Sequence, residues 1–190
     1  NSGYAASLTW ANDVLDKLEE QALVPMFGEE PVELGMAGRE DELLQRLRDD
    51  VRYPRMFADA FPDDEDPINL GNITKALGSF QRQVTSFNSP FDQWNRGDKS
   101  ALNESEQRGL ALFFGGTTEA GVTDALECFH CHGGFLLSQS SDHEDNVFDQ
   151  KAFMKNGLYH LDEDGSYPAG NQGIYELSFE SVDKGRFKPP

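Results

Sequence analysis

The sequence predicts an all-α protein of two helical lobes with long loops, and three observations predict it. Apolar residues recur at three- and four-residue spacing in four stretches, the pattern of helices with one buried face. No alternating apolar and polar run of comparable length occurs before residue 170, so no half-buried strand competes with those helices. The 190 residues suffice for one ordinary domain or two small ones, but not for a large multidomain enzyme.

From Trp10 to Gln21 the positions Trp10, Val14, Leu15, Leu18 and Ala22 follow helical spacing, and Pro25 with Gly28 ends the stretch. A second helix reads from Glu40 to Arg52, with Leu43, Leu44, Leu47 and Val51 on one stripe and Tyr53-Pro54 as its break. The third runs through Ile73, Ala76, Leu77, Phe80, Val84 and Phe87. Residues 103–114 carry the best-marked start: Asn103 as N-cap, Glu106 three on, then Leu110, Phe113 and Phe114 as an apolar face. Gly109 costs that helix about 1 kcal/mol relative to Ala, which makes sense if another helix crosses close to its backbone. Stretches 62–72, 115–125 and 138–150 read as loops, and Ser89 to Ser100 as a connection. The tail from Asn156 onward is rich in Gly, Tyr, Asp and Pro, with too little apolar periodicity for a lobe of its own.

Thirty-four acidic residues against sixteen Lys and Arg give a net charge of −18. That field repels phosphate backbones and anionic headgroups, so nucleic acid and membrane surfaces are not expected partners. No apolar run approaches the roughly 20 residues of a membrane-spanning helix. The chain opens at Asn1 without an initiator Met, a basic n-region or an apolar h-region, so the expectation is a removed signal peptide or missing upstream residues.

Both cysteines lie in Cys128-Phe129-His130-Cys131-His132, a Cys-x-x-Cys-His run that reads as c-type haem attachment. Two thiols three apart near a helix start can add across the two haem vinyl groups, and the adjacent imidazole then serves the iron as proximal ligand. A bare Cys-x-x-Cys could instead be a redox disulfide or half a zinc site completed by His130, His132, His143 or His160. Zinc more often uses a second Cys pair, and a redox motif sits in a βαβ pattern absent from this sequence. Met154, His143 and His160 are candidates for the second axial ligand, each also readable as a surface or packing residue.

An ordered set of residues runs through the chain. It comprises Trp10, Leu18-Glu19-Glu20-Gln21-Ala22, Pro25, Pro31 to Met36, Phe80 with Arg82, Phe91-Asp92, Gly97-Asp98 and Ala101-Leu102. Gly109-x-x-Leu112-Phe113, Cys128 to Gly134 and Gly185-Arg186-Phe187-Lys188 complete it. This order resembles the bacterial di-haem cytochrome c peroxidase and MauG family over nearly all of the chain. The segment from Tyr159 to Tyr175 is similar to the methanobactin-associated di-haem enzymes.

The resemblance implies cytochrome c-like lobes, each with its own Cys-x-x-Cys-His. Residues 1–95 would be a front lobe, part of a peroxidatic haem domain whose motif lies upstream. Residues 96–190 would be the C-terminal haem lobe, with a sixth ligand, Met in peroxidases and Tyr in MauG, just after Pro190. Glu33 matches the family's distal carboxylate, which can move a proton between the two oxygens of hydrogen peroxide. Gln21 and Pro25 match residues lining that pocket, and Trp10 the aromatic between the two haems. Phe27 to Glu30 lengthen the loop before Pro31 relative to the common pattern. Taken alone, Glu33 reads as solvated surface, Gln21 and Pro25 as packing, and Trp10 as core.

The implied protein is a periplasmic oxidoreductase that uses hydrogen peroxide. It would oxidise aromatic residues of a partner protein, or reduce peroxide with electrons from a small cytochrome or cupredoxin. A calcium ion between the lobes belongs to the same expectation. A mono-haem electron-transfer cytochrome with a helical appendage is the alternative class, and it predicts one haem per full-length chain instead of two.

Overall fold

The computed structural model describes residues 2–116, 126–134, 136–138, 153–160 and 166–189, and it is mostly helical. Residues 14–84 form one compact unit, and the described residues of 3–13 and 85–189 form another. These compact units part after Val84, with residues 3–13 joined to the C-terminal part.

In the unit of residues 14–84, α1 (Leu18–Gln21) leads almost directly into α2 (Leu23–Phe27). Pro25 explains the interruption at Ala22, because it has no N–H to give the Gln21 carbonyl. The helix expected from Trp10 begins only at Leu18. The Asn12 carbonyl accepts from Ser7 Oγ at 2.9 Å and Thr9 Oγ1 at 3.1 Å, local bonds that compete with helix formation.

α3 (Glu40–Asp49) starts with three acidic residues and ends with Arg46 and Arg48, in keeping with the helix dipole. It stops short of the expected Arg52, since Asp50 is extended and its carboxylate accepts the Arg52 N–H at 2.9 Å. Tyr53-Pro54 does more than break that helix. It opens α4 (Tyr53–Ala60), where proline in the first turn loses no intrahelical bond. α5 (Leu70–Gln83) is capped by Asn69, whose Oδ1 accepts the Asn72 N–H at 2.9 Å, and it ends before Val84 and Phe87.

Met26, Phe57, Ile68 and Ile73 form the buried core of this unit, and the α3 stripe of Leu43, Leu44 and Leu47 packs on it. Each such side chain contributes about 1.5–3 kcal/mol when fully buried. Asn72, also buried, fastens the loop before α5. Its amide donates to Asp64 Oδ2 at 2.5 Å and to the Pro67 carbonyl at 3.1 Å, while its Oδ1 accepts from Lys75 Nζ. α1 crosses α5 at Gly78, where a Cβ would stand 2.7 Å from Glu19 Oε1. Beside that crossing Arg82 donates to both Glu19 oxygens, at 2.7 and 2.9 Å.

The other unit holds α6 (Pro90–Asn95), a helix inside the expected connection, started by a reciprocal Ser89–Asp92 capping box. α7 (Glu104–Phe114) forms as expected, with Asn103 and Glu106 capping each other. No described residue comes within 4 Å of a Cβ placed on Gly109, so the expected close crossing is not seen among the described residues. β1 (Met154–Lys155) pairs antiparallel with β2 (Arg186–Phe187), which turns the all-α expectation into a mostly helical fold with a small two-stranded sheet among the described residues. A short helix, α9, spans Tyr175–Ser178. Gly173, at φ 72°, lies so close to the Arg186 carbonyl that any side chain would collide with it. The N-terminal segment is stitched to the tail: Lys188 N–H donates to the Trp10 carbonyl at 2.7 Å and Lys188 Nζ to the Ser7 carbonyl at 2.8 Å.

Candidate functional site

The Cys-x-x-Cys-His run makes a single helical turn, α8 (Phe129–His132), with Cys128 as its N-cap. The Cys128 carbonyl accepts the N–H groups of Cys131 at 3.2 Å and His132 at 2.9 Å. Residues three and four apart share a helix face, so both thiols and the His132 imidazole stand on one side of the turn. Glu127 enters it in the left-handed region, at φ 55°. Both cysteines are free thiols and half-buried.

α7 braces this turn with aromatic rings. Phe113 lies 6.4 Å from the His132 ring, and Phe114 is stacked 6.4 Å from Phe129 and 6.0 Å from Phe91 of α6. A cavity of about 760 Å³ opens between α6, α7 and the segment just after the motif, with Phe91, Leu110, Phe114 and Leu137 in its wall. Its size falls in the roughly 300–1,000 Å³ range of cofactor sites. A smaller apolar one of about 290 Å³ is lined by Leu102, Phe113 and Leu137, among others.

The described contacts of the candidate second axial ligands tie them to the tail. Met154 sits in β1 opposite Phe187, and His160 is exposed and stacked on Tyr167 at 5.5 Å. His143 lies outside the described residues.

Gln21, Pro25 and Glu33 all belong to the unit of residues 14–84. Gln21 ends α1, Pro25 lies in α2, and Glu33 is exposed on the loop that follows. The Pro25 carbonyl accepts the Leu34 N–H at 3.0 Å and the Met26 carbonyl the Met36 N–H at 3.0 Å, so this loop folds back on α2 and sets Glu33 next to Pro25 in the backbone pairing. Arg82 holds the Glu19 carboxyl below its ordinary value, against the opposing effect of burial. Glu19 and Arg82 entered the sequence pattern only as motif positions; nothing local reveals that they pair across 63 positions.

Trp10 sits in the other unit and is 52% exposed, so among the described residues it is not a core side chain. It meets Tyr159 edge-on at 6.1 Å and Phe187 at 6.4 Å. Tyr159 entered the sequence pattern only as the start of the 159–175 segment; its contact with Trp10 depends on the tail folding back and has no local signal. Burial pushes the neighbouring Lys188 ammonium below its ordinary pKa.

The sequence profile of the di-haem cytochrome c peroxidases matches residues 1–100. The chain belongs to that family. Among its members, the methylamine utilization protein MauG of Methylophilus methylotrophus is 33% identical over 144 residues, covering 76% of this chain and 39% of that protein. The cytochrome-c peroxidase IdrP1 of Pseudomonas sp. (strain SCT) is 32% identical, covering 100% of this chain and 50% of its own length. The crystal structure of a MauG-like protein associated with microbial copper homeostasis superposes with a TM-score of 0.84 at 38% identity, over all of this chain and 52% of that one. The chain therefore spans about half, or less, of the length of these relatives.

Haem c is the group this di-haem peroxidase family implies, and the residues fit it. Cys128 and Cys131 offer two unbonded thiols on one turn, His132 follows on the same side, and aromatic and aliphatic walls stand alongside. The zinc alternative fits less well. Among the described residues no three or more His, Cys, Asp or Glu side chains gather as a metal cluster, and His130 faces Glu127 at 3.7 Å.

Proposed function

We propose that the whole protein is a periplasmic di-haem oxidoreductase driven by hydrogen peroxide. The single observation that carries this is the Cys128–His132 turn, with its two free thiols and following imidazole, in a chain of the di-haem peroxidase family. Haem c bound there supplies one-electron redox chemistry. The chain's own residues divide the remaining work. Cys128 and Cys131 would hold the group covalently, His132 would ligate it, and Phe113 and Phe114 would keep water from that side. Glu33, on its exposed loop beside Pro25, takes a proton from one peroxide oxygen and returns it to the other, while Gln21 and Pro25 shape the pocket. Trp10 would serve as the aromatic relay between two haem groups. A calcium ion is the smallest part of the proposal.

Of the two outputs, oxidation of aromatic residues on a partner protein is favoured over reduction of peroxide by a small cytochrome or cupredoxin. The likeness to the MauG-like protein associated with copper homeostasis supports this, as does Tyr159, at the head of the 159–175 segment, which packs on Trp10. Haem stoichiometry tests the reading. Full-length protein should carry two covalent haems that stay with the polypeptide in acidified acetone. One haem per chain would establish the mono-haem electron-transfer alternative.

A further inference from the structure

We propose that Tyr159 is a redox-active residue that reduces oxidised Trp10 and so carries the oxidising equivalent one step beyond it. This deepens the proposed function and rests on it, since the oxidant that first takes the electron from Trp10 is hydrogen peroxide acting through that machinery.

Two independent features single out Tyr159. The first is its contact. Trp10, Tyr159 and Phe187 form a triangle of rings with centroids 6.1, 6.4 and 5.8 Å apart, and the Trp10–Tyr159 planes meet at 82°. Phe187 is 1% exposed and carries a ring that resists one-electron oxidation, so within the triangle Tyr159 alone can accept the hole from Trp10.

The second feature is backbone conformation. The His160 N–H donates to the Gly157 carbonyl at 3.1 Å, closing a turn in which Tyr159 is the third residue, at φ 60°. Such a position is the default place of Gly or Asn, and a bulky residue in the left-handed region is strained. A Gly or Asn would relax the turn. Tyr is held there instead, with its ring against Trp10.

The step balances with one electron and one proton. Tyr159 gives one electron to the oxidised indole, which returns to neutral Trp10, and the phenolic proton leaves to water, to which the half-buried residue has access. The product is a neutral phenoxyl radical on Tyr159. The indole is thereby spared from reacting with peroxide or oxygen.

The test uses full-length holoenzyme and Tyr159→Phe, each produced with natural and with ring-deuterated tyrosine. Each sample is mixed with hydrogen peroxide in the absence of an electron donor and frozen for electron paramagnetic resonance. The wild type should show an organic radical whose signal narrows on tyrosine deuteration, and Tyr159→Phe should lose that signal. Peptide mass spectrometry should find oxygen added at Trp10 several-fold more in the variant. Phe keeps the ring packing, so haem content and melting temperature should not move; a purely structural Tyr159 would leave the radical and the Trp10 oxidation unchanged as well. A wild-type radical blind to deuteration, or the same tyrosine signal in Tyr159→Phe, overturns the inference alone. Haem spectra that do not respond to peroxide overturn the proposed function and this inference with it.

Discussion

Two thiols and an imidazole come onto one side of the Cys128–His132 turn through bonds that never leave the segment, namely the N–H groups of Cys131 and His132 on the Cys128 carbonyl. Gln21, Pro25 and Glu33 are gathered differently. α1 must end, α2 must follow it despite Pro25, and the loop must return to give the Leu34 N–H to the Pro25 carbonyl. The first site is written in spacing and survives any rearrangement that keeps one helical turn. The second exists only while the unit of residues 14–84 keeps its packing. A change in the motif should therefore act on haem attachment, and a change in the front unit on reactivity or stability with the attached haem intact.

The largest expected effect lies in the motif. Under the proposed attachment, Cys128→Ala with Cys131→Ala would remove both thioether bonds, so acidified acetone should strip all haem from this lobe while the wild type retains it. Pigment that stays with the doubly substituted chain at wild-type stoichiometry would break the comparison at its firmer end. Next comes Glu33→Gln, which keeps the shape and loses the base. It should slow peroxide-driven turnover by about 10²-fold or more, the usual contribution of general acid–base catalysis, while haem content remains at the wild-type level. Turnover within about twofold of wild type would make Glu33 an ordinary solvated carboxylate.

The smallest effect concerns the clamp that holds α1 on α5. Arg82 depresses the folded Glu19 carboxyl. The pair's contribution is thus complete above the unfolded value of about 4.3 and is lost as pH falls through the lower folded value. With the two side chains 26% and 47% exposed, solvent screening keeps it to less than about 1 kcal/mol. Arg82→Gln should lower the melting temperature slightly at neutral pH and flatten its decline between roughly pH 5 and 3. An acid limb as steep as that of wild type would assign the acid sensitivity to other carboxylates.

How much was legible follows from how local each signal is. α7 was readable to its ends because Asn103 and Glu106 cap one another within four residues. α6 was passed over although Ser89 and Asp92 make the same box, since six residues leave no periodic stripe to notice. Tyr53-Pro54 was readable as a break, but the same proline suits a first helical turn equally well, and α4 was missed. The stretch from Trp10 to Lys17 has helical spacing and is not helical: Trp10 packs with Tyr159 and Phe187, Val14 is exposed, and the Ser7 and Thr9 hydroxyls take the Asn12 carbonyl that a helix would use.

The sequence by itself determined the attachment turn, the capped helix ahead of it, the acidic surface and the family pattern. Each is a matter of composition or of residues within a few positions, where backbone geometry leaves little choice. Tertiary structure alone decided that Trp10 leaves the helix it appeared to start, that the tail brings Tyr159 and Phe187 to it, that Glu19 meets Arg82 over Gly78, and that the Glu33 loop returns to Pro25. These contacts join distant segments, and their free energy comes from burial and pairing that exist only once the chain has closed on itself.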